Sequence, residues 1–412
     1  MYSLVIILYK IFLDIVYYFV ISPLFSYEGM IVVFHGVWMR MILSYIATFL
    51  LSRITPKEHN RLTYVLFNIE LIIMIIPMLS FYAFASQNII YMISVICVYI
   101  LQLSVHKLLL KRRPIAFKSQ YFRCLVKVIL LGILATGCIA TVIYARPPSL
   151  DAMNFDNIYT IRERTQLPYW AGYFVSWCTN IVIPYLLCLG LLKHNWTLTA
   201  FSIVLQFLFY LIFAHKAILF TIPLLLFIYY ISRFKKFHLY FIAGLIMGLF
   251  VSMCAYLSGQ TRPITILADR LLFIPAQIKF AYYSFFADNI KVCFADGIIG
   301  KLFHLQSPYE YTIPEQISIY LYNAAVPFNA NTGYLGDAYA NGGMIGLICI
   351  ALLVLIYSYM LDCVSLRVNK RLTTPIIFQH LMVLNDGAFF TICLTGGGWL
   401  IFLILLSLNK KD

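Results

Sequence analysis

Residues 331–346 read NTGYLGDAYANGGMIG. One carboxylate, Asp337, stands among glycines and hydrogen-bonding groups where a polar stretch runs into a long apolar one. A carboxylate placed there can accept a proton from an attacking hydroxyl that comes within hydrogen-bond reach. The glycines let a substrate approach the backbone closely, and Tyr339 and Asn341 can bond its hydroxyls. The plainer reading is that Asp337 caps a helix N-terminus and the glycines serve close helix packing. A second group of chemically capable residues is cationic: Arg146, Arg162, Arg164, Lys216, Arg262, Arg270, Lys279, Lys291 and Lys301. The planar fork of arginine donates two parallel hydrogen bonds to a phosphate, which makes Arg262 and Arg270 the first candidates for holding one. Loop charges or snorkelling side chains are the alternative. Lys279 falls about half a turn from Arg270 on an ideal helix, so the two share a face only if Pro275 redirects the chain. Lys216, in AHKA, is either part of a tight turn or a cation reaching into a cavity.

Standard devices are missing from the sequence. There is no Walker loop, no GxGxxG behind a strand, no HExxH, no GxSxG and no Asp-x-Asp pair, and the eight histidines lie scattered. The ten cysteines show no CxxC spacing and read as small apolar packing residues. The expectation is chemistry that uses no cofactor, metal or nucleotide.

The elements that must carry these residues are legible in the composition. Of 412 residues 62% are hydrophobic and 11% charged, against about 25% charged in soluble domains. Apolar runs near the roughly 20 residues that cross a bilayer follow one another: 4–20, 30–51, 62–84, 89–110, 125–144, 170–192, 196–213, 217–231, 237–257 and 336–361. A final region, 375–408, is interrupted by TGGGW. This predicts an all-α polytopic membrane protein of eleven to twelve spans, forming one integral membrane domain over 1–412. The first run reads as a span and not a cleaved signal peptide, having no small-x-small site. Alternate loops carry Arg53, Lys57 and Arg61, then Lys111, Arg112, Arg113, Lys118 and Arg123, then Lys193, then Arg233, Lys235 and Lys236, then Arg367, Lys370 and Arg371. The opposite short loops hold Arg146, Arg162, Arg164 and Lys216. The positive-inside bias therefore puts the first set and the N-terminus in the cytoplasm, and Lys410 and Lys411 put the C-terminus there too. The net charge of +14 is read as this bias and not as affinity for nucleic acid. Two segments, 146–169 and 258–335, are then expected outside.

The second of these is rich in Tyr, Phe, Ile and Pro, and should fold against the membrane surface. Leu267, Leu271, Ile274, Ile278 and Phe285 recur at helical spacing, with Arg270, Gln277 and Asp288 elsewhere. This predicts an amphipathic interfacial helix, started near Pro263 and kinked at Pro275, with a second short helix from Pro314. Within the spans, Asp14, Arg40, Glu70 and Asp386 are functional candidates by default, and Arg40 and Glu70 are expected to pair across adjacent helices.

The stretch TGYLGDAYANGGMIG resembles the Gly-acid-Ala-Tyr-x-Asn-x-Gly string that opens a late helix in bacterial O-antigen and oligosaccharide repeat-unit polymerases, the Wzy family. ADRLLFIPAQIKFAYYSFF resembles their Arg-led helix with a proline and a later aromatic pair, Tyr282 and Tyr283, and AHKA resembles their lysine turn. The resemblance covers roughly 160–400. The evenly spaced Arg-x10-Gly pair of some members is absent here, which puts the corresponding loop roles in doubt. It implies a metal-independent glycosyltransferase of GT-C type. Its substrates would be glycans on undecaprenyl pyrophosphate, joined at the periplasmic face of the bacterial inner membrane, with membrane lipid and a chain-length regulator protein as partners. By this resemblance Asp337 and Arg270 would be catalytic. Arg262, Lys279, Tyr282, Tyr283, Tyr339, Asn341, Lys216, Arg162 and Arg164 would bind substrate. An O-antigen ligase and a polysaccharide-lipid flippase or transporter are the alternatives.

Overall fold

A computed structural model describes residues 1–58, 61–109, 115, 119–154, 161–162, 165 and 167–408. Arg164, Lys111, Arg112, Arg113, Lys118, Lys410 and Lys411 lie outside the described residues. Among the described residues every regular element is helical. Ten helices are long and apolar enough to cross a membrane: Tyr2–Glu28, Val37–Ile54, Leu62–Ala85, Ile89–Leu108, Gln120–Tyr144, Tyr169–Leu192, Trp196–Phe213, Phe237–Leu257, Tyr334–Ser365 and Phe389–Ser407. The protein is thus a multi-pass membrane protein, with ten such helices among the described residues where eleven to twelve spans were expected. Lys216–Ile231, expected as a span, has 16 residues. At 1.5 Å per residue it reaches about 24 Å, short of the roughly 30 Å hydrocarbon layer.

Four π-helical stretches interrupt the α-helices, at Tyr17–Ile21, Glu70–Ile75, Cys178–Val182 and Thr265–Phe273. Each ends two residues before a proline, respectively Pro23, Pro77, Pro184 and Pro275. Proline has no N–H to donate and its ring strikes the carbonyl one turn back. Widening that turn removes the clash while the helix continues. At Pro275 the helix therefore runs on from 262 to 288.

The chain divides into two compact units. The first comprises Met1–Lys111, Lys236–Tyr359 and Met382–Phe390. In it Asp14 is neutralised by Lys10, whose Nζ lies 3.1 Å from Oδ2, and Tyr45 donates to the same carboxylate at 2.7 Å. Lys10 also donates to Ser80 Oγ at 3.1 Å. The expected Arg40–Glu70 pair is not formed. Arg40 donates instead to the carbonyls of Ala83, His35 and Val33, at 2.9, 2.7 and 2.6 Å. Ala83 lies thirteen residues beyond Glu70 on one helix, about 20 Å along its axis, so a side chain at that level cannot reach Glu70.

The helix over 262–288 differs from a one-sided interfacial helix. Every residue from 272 to 283 is buried, so its second half is enclosed on all sides. The short helix Ile313–Tyr322 forms as expected, started by a capping box of Thr312 and Glu315.

The second unit comprises Arg112–Lys235, Met360–Leu381 and Thr391–Asp412. The TGGGW break packs against the helix Tyr169–Leu192. Trp177 Nε1 donates to the Leu394 carbonyl at 3.0 Å, and Ser176 Oγ donates to that of Thr395 at 3.1 Å. Gly397 has φ +80°, and a Cβ there would stand 2.6 Å from Ile181.

Candidate functional site

The stretch that opened the sequence reading is a helical hairpin in the first unit. Tyr334–Ser365 breaks at Gly343, with φ 58° and ψ −142°, a conformation reserved for glycine. The chain doubles back there: a Cβ on Gly346 would lie 2.5 Å from the Ala338 carbonyl oxygen, eight residues earlier. Residues 334–342 form a first limb and 344–365 a second. Both limbs meet Gln102, the first through a cavity lined by Tyr334, Leu335 and Gln102 and the second through a 2.9 Å bond from Gln102 Nε2 to the Ala351 carbonyl. The carbonyls of Ala340 and Asn341, whose partners in an unbroken helix would be residues 344 and 345, accept from Val292 and Cys293 N–H at 3.0 and 3.2 Å. The loop thus replaces bonds that the break removes.

This corrects the reading of 336–361 as one span with Asp337 at its mouth. Asp337 sits within the first limb, half-buried, with its N–H bonded to the Gly333 carbonyl at 3.2 Å. Its Oδ1 accepts from Asn341 Nδ2 at 3.2 Å, while Asn341 Oδ1 accepts from Phe294 N–H at 2.8 Å. Asn341 therefore orients the carboxylate and is itself held by the loop. The charge acting on Asp337 comes from Asp296, a residue the sequence reading did not single out. Burial raises the Asp296 carboxyl above its usual range, although Ile313 N–H donates to it at 2.5 Å.

Three tyrosine rings gather beside the first limb. Tyr91 stacks on Tyr283 with centroids 4.7 Å apart, and Tyr339 meets Tyr283 at 4.8 Å and Tyr91 at 5.9 Å. Lys291 Nζ stands 5.3 Å from the Tyr339 ring centre. Tyr282 is turned elsewhere, its hydroxyl donating to the Ala330 carbonyl at 3.3 Å, although it feels the charge of Asp337. Two groups result: Asp337 with Asn341 and Asp296, and Tyr339 with Tyr283, Tyr91 and Lys291, carried on different faces of the limb because residues two apart do not share one.

The cations separate. Lys279 is fully buried and donates to the carbonyls of Pro275 and Asn385 and to Asn385 Oδ1, at 3.2, 2.9 and 2.9 Å. Burial pushes its ammonium down to about 8, with Asp386 opposing. It fixes the 384–388 turn, against which Gly333 packs so closely that a Cβ would stand 2.3 Å from the Asn385 oxygen. Arg270 points away from this core with 56% of its side chain exposed, 3.8 Å from Asp269. Arg262 is exposed as well. The two cations therefore lie in different surroundings, Arg270 at the surface and Lys279 enclosed.

Asp269 was also missed from sequence. It is fully buried with neither carboxylate oxygen hydrogen-bonded. Burial pushes its carboxyl up to about 7, Arg270 opposing and Glu28 adding to the rise. A carboxyl whose folded pKa exceeds its unfolded value binds a proton on folding. Its contribution is therefore fully present below about pH 4, falls from there, and is exhausted above about pH 7. Asp269→Asn is expected to remove this decline. The variant should melt higher than the wild type in detergent at pH 8 and alike at pH 4, as thermal unfolding across that range would read out.

In the second unit the arginines serve the backbone. Arg146 donates to the carbonyls of Leu211 and Ile212 at 3.0 and 3.2 Å, and Arg162 to that of Ala214 at 3.1 and 3.3 Å. Both thus hold the C-terminus of Trp196–Phe213, where a cation also complements the helix dipole. Lys216 is the first residue of the following helix, beside the turn at Ala214, which has φ 53°.

No protein-family model, curated protein or solved structure matches this chain.

Proposed function

We propose that this protein is a metal-independent glycosyltransferase of GT-C type that polymerises oligosaccharide repeat units carried on undecaprenyl pyrophosphate, at the periplasmic face of the bacterial inner membrane. The observation that carries the reading is the hairpin. The segment that resembles the O-antigen polymerases is also one where the backbone departs from a plain span, and its first limb carries both Asp337, held by Asn341, and Tyr339, set against Tyr283 and Lys291. The charge bias of the loops puts the 258–335 segment, and with it this site, on the non-cytoplasmic side.

In this reading Asp337 accepts the proton of the acceptor hydroxyl as its oxygen bonds to the anomeric carbon of the donor glycan. The bond from that carbon to pyrophosphate breaks, and the carrier lipid leaves as its pyrophosphate. The tyrosine rings give sugar faces a surface to stack on. Charge grows on the leaving phosphate, and Arg270, an exposed guanidinium of the first unit, is a group suited to meet it. Pyrophosphate is already an activated leaving group, so the reaction needs no nucleotide.

Deletion of the gene tests the reading. A polymerase defect leaves surface glycan limited to one repeat per lipid core. Absence of surface glycan with long chains left on the carrier would instead identify a ligase, and single units trapped inside would identify a flippase. Arg270→Ala is expected to give the one-repeat pattern at normal protein level. Arg270→Lys keeps the charge without the fork, so full polymer from that variant would rule out bidentate phosphate binding.

A further inference from the structure

Glu70 does nothing in the proposed reaction, yet it lies at the one place where both limbs of the hairpin are tied. Its side chain is buried in the π-helical turn 70–75. Oε1 accepts from the Tyr334 hydroxyl, on the first limb, at 2.6 Å. Oε2 has no hydrogen-bond partner. Across a cavity of about 10 Å³ stands Gln102, also buried, whose Oε1 has no partner either. That space fits a single water-sized sphere. Gln102 Nε2 donates one N–H to the Ala351 carbonyl on the second limb, and its second N–H acts on the Glu70 carboxylate.

Two acceptors, Glu70 Oε2 and Gln102 Oε1, thus face one small cavity, and neither oxygen is hydrogen-bonded. Leaving such groups unsatisfied in an apolar interior costs several kcal/mol. A positive charge satisfies both at once. The cavity contains one carboxylate, so a monovalent ion leaves the site neutral and a divalent one does not. Its other polar neighbours, the hydroxyls of Tyr99 and Tyr334, offer oxygen lone pairs. No second acid and no Lys or Arg lines it. The stretch 265–273 packs on residues 70–75 and carries Asp269 and Arg270, but neither lines the cavity. Tyr2 acts on Tyr99, and His106 packs on Phe67, one turn before Glu70.

We propose that Glu70 Oε2 and Gln102 Oε1 together bind one monovalent cation, a sodium ion or a proton, and that this charge closes a polar chain fastening both limbs of the hairpin. The chain runs from Tyr334 through Glu70, the bound charge and Gln102 to the Ala351 carbonyl. Loading the site holds the first limb, and with it Asp337, against the helices Leu62–Ala85 and Ile89–Leu108. This holds whether or not the protein transfers sugars.

The test uses the purified full chain in detergent. Its unfolding midpoint is measured in sodium chloride against choline chloride at equal ionic strength, from pH 5.5 to 8.5. Wild type is expected to gain a saturable upward shift. A shift with sodium at pH 8.5 identifies sodium, and a shift with acid alone in choline that persists in Asp269→Asn identifies the proton. Glu70→Gln places an amide donor opposite Gln102 Oε1 and carries no charge, so in that variant the sodium titration should be flat and the acid titration reduced to the part that Asp269→Asn removes. Hydrogen exchange of residues 334–342 in the wild type, which needs no variant to fold, should slow as the site loads. A wild-type midpoint indifferent to sodium and pH, an equal response in Glu70→Gln, or exchange unchanged by loading would each overturn the proposal.

Discussion

Asp337→Asn is expected to lower polymer formation by about 10²–10⁴-fold, the usual contribution of a positioned general base, with the protein present in membranes at wild-type level. The substitution is nearly isosteric. Asn341 Nδ2 now reaches Asp337 Oδ1 at 3.2 Å, and an amide oxygen in that place accepts the same bond. The loop bond from Phe294 N–H to Asn341 Oδ1 is untouched. The hairpin should therefore persist, and what disappears is the capacity to accept a proton. The measurement is the length distribution of surface glycan in a deletion strain carrying the variant. Long chains at wild-type density would remove Asp337 from the reaction and leave it a residue that orients Asn341.

The second large effect separates two adjacent glycines. A Cβ on Gly342 meets nothing within 4 Å, and its backbone needs no glycine. Gly342→Ala is expected to be neutral or to stabilise by up to about 0.5–1 kcal/mol, because alanine loses less conformational freedom in a helix. A Cβ on Gly343 also has room, its nearest neighbour being Lys291 Cε at 3.5 Å. There the obstacle is the backbone: φ 58° with ψ −142° is strained for any L side chain. Gly343→Ala should cost about 1–3 kcal/mol and displace the first limb, lowering polymer formation as well as the unfolding midpoint. Both alanine variants melting alike would mean that the chain does not turn at Gly343.

Hydropathy made the spans legible because a helix in lipid must satisfy its own backbone and present apolar side chains, and both leave a run in the sequence. The hairpin was not legible. Gly342-Gly343 followed by an apolar run reads as a small-residue packing face, and only the donors from 292 and 293 make a reversal affordable. The partners of buried charges were hidden too. Arg40 and Glu70 look complementary on paper, yet Arg40 is satisfied by three carbonyls, and one oxygen of Glu70 accepts from a tyrosine 264 positions away. Lys10 and Asp269 went unnoticed because one charge within an apolar or amphipathic run does not say which way it faces.

The wide turns ahead of Pro23, Pro77, Pro184 and Pro275 bear on how this chain can change length over evolutionary time. A turn bonded from residue i to i+5 stores one residue more than one bonded from i to i+4. Where the proline behind it is also replaced, such a turn can give up that residue and rewind, leaving the faces on either side unrotated. A deletion elsewhere in the same helix would swing everything beyond it by about 100° and turn a buried face toward lipid. Four helices of this protein therefore contain a point at which a single codon can be lost without the rest of the helix having to be redesigned.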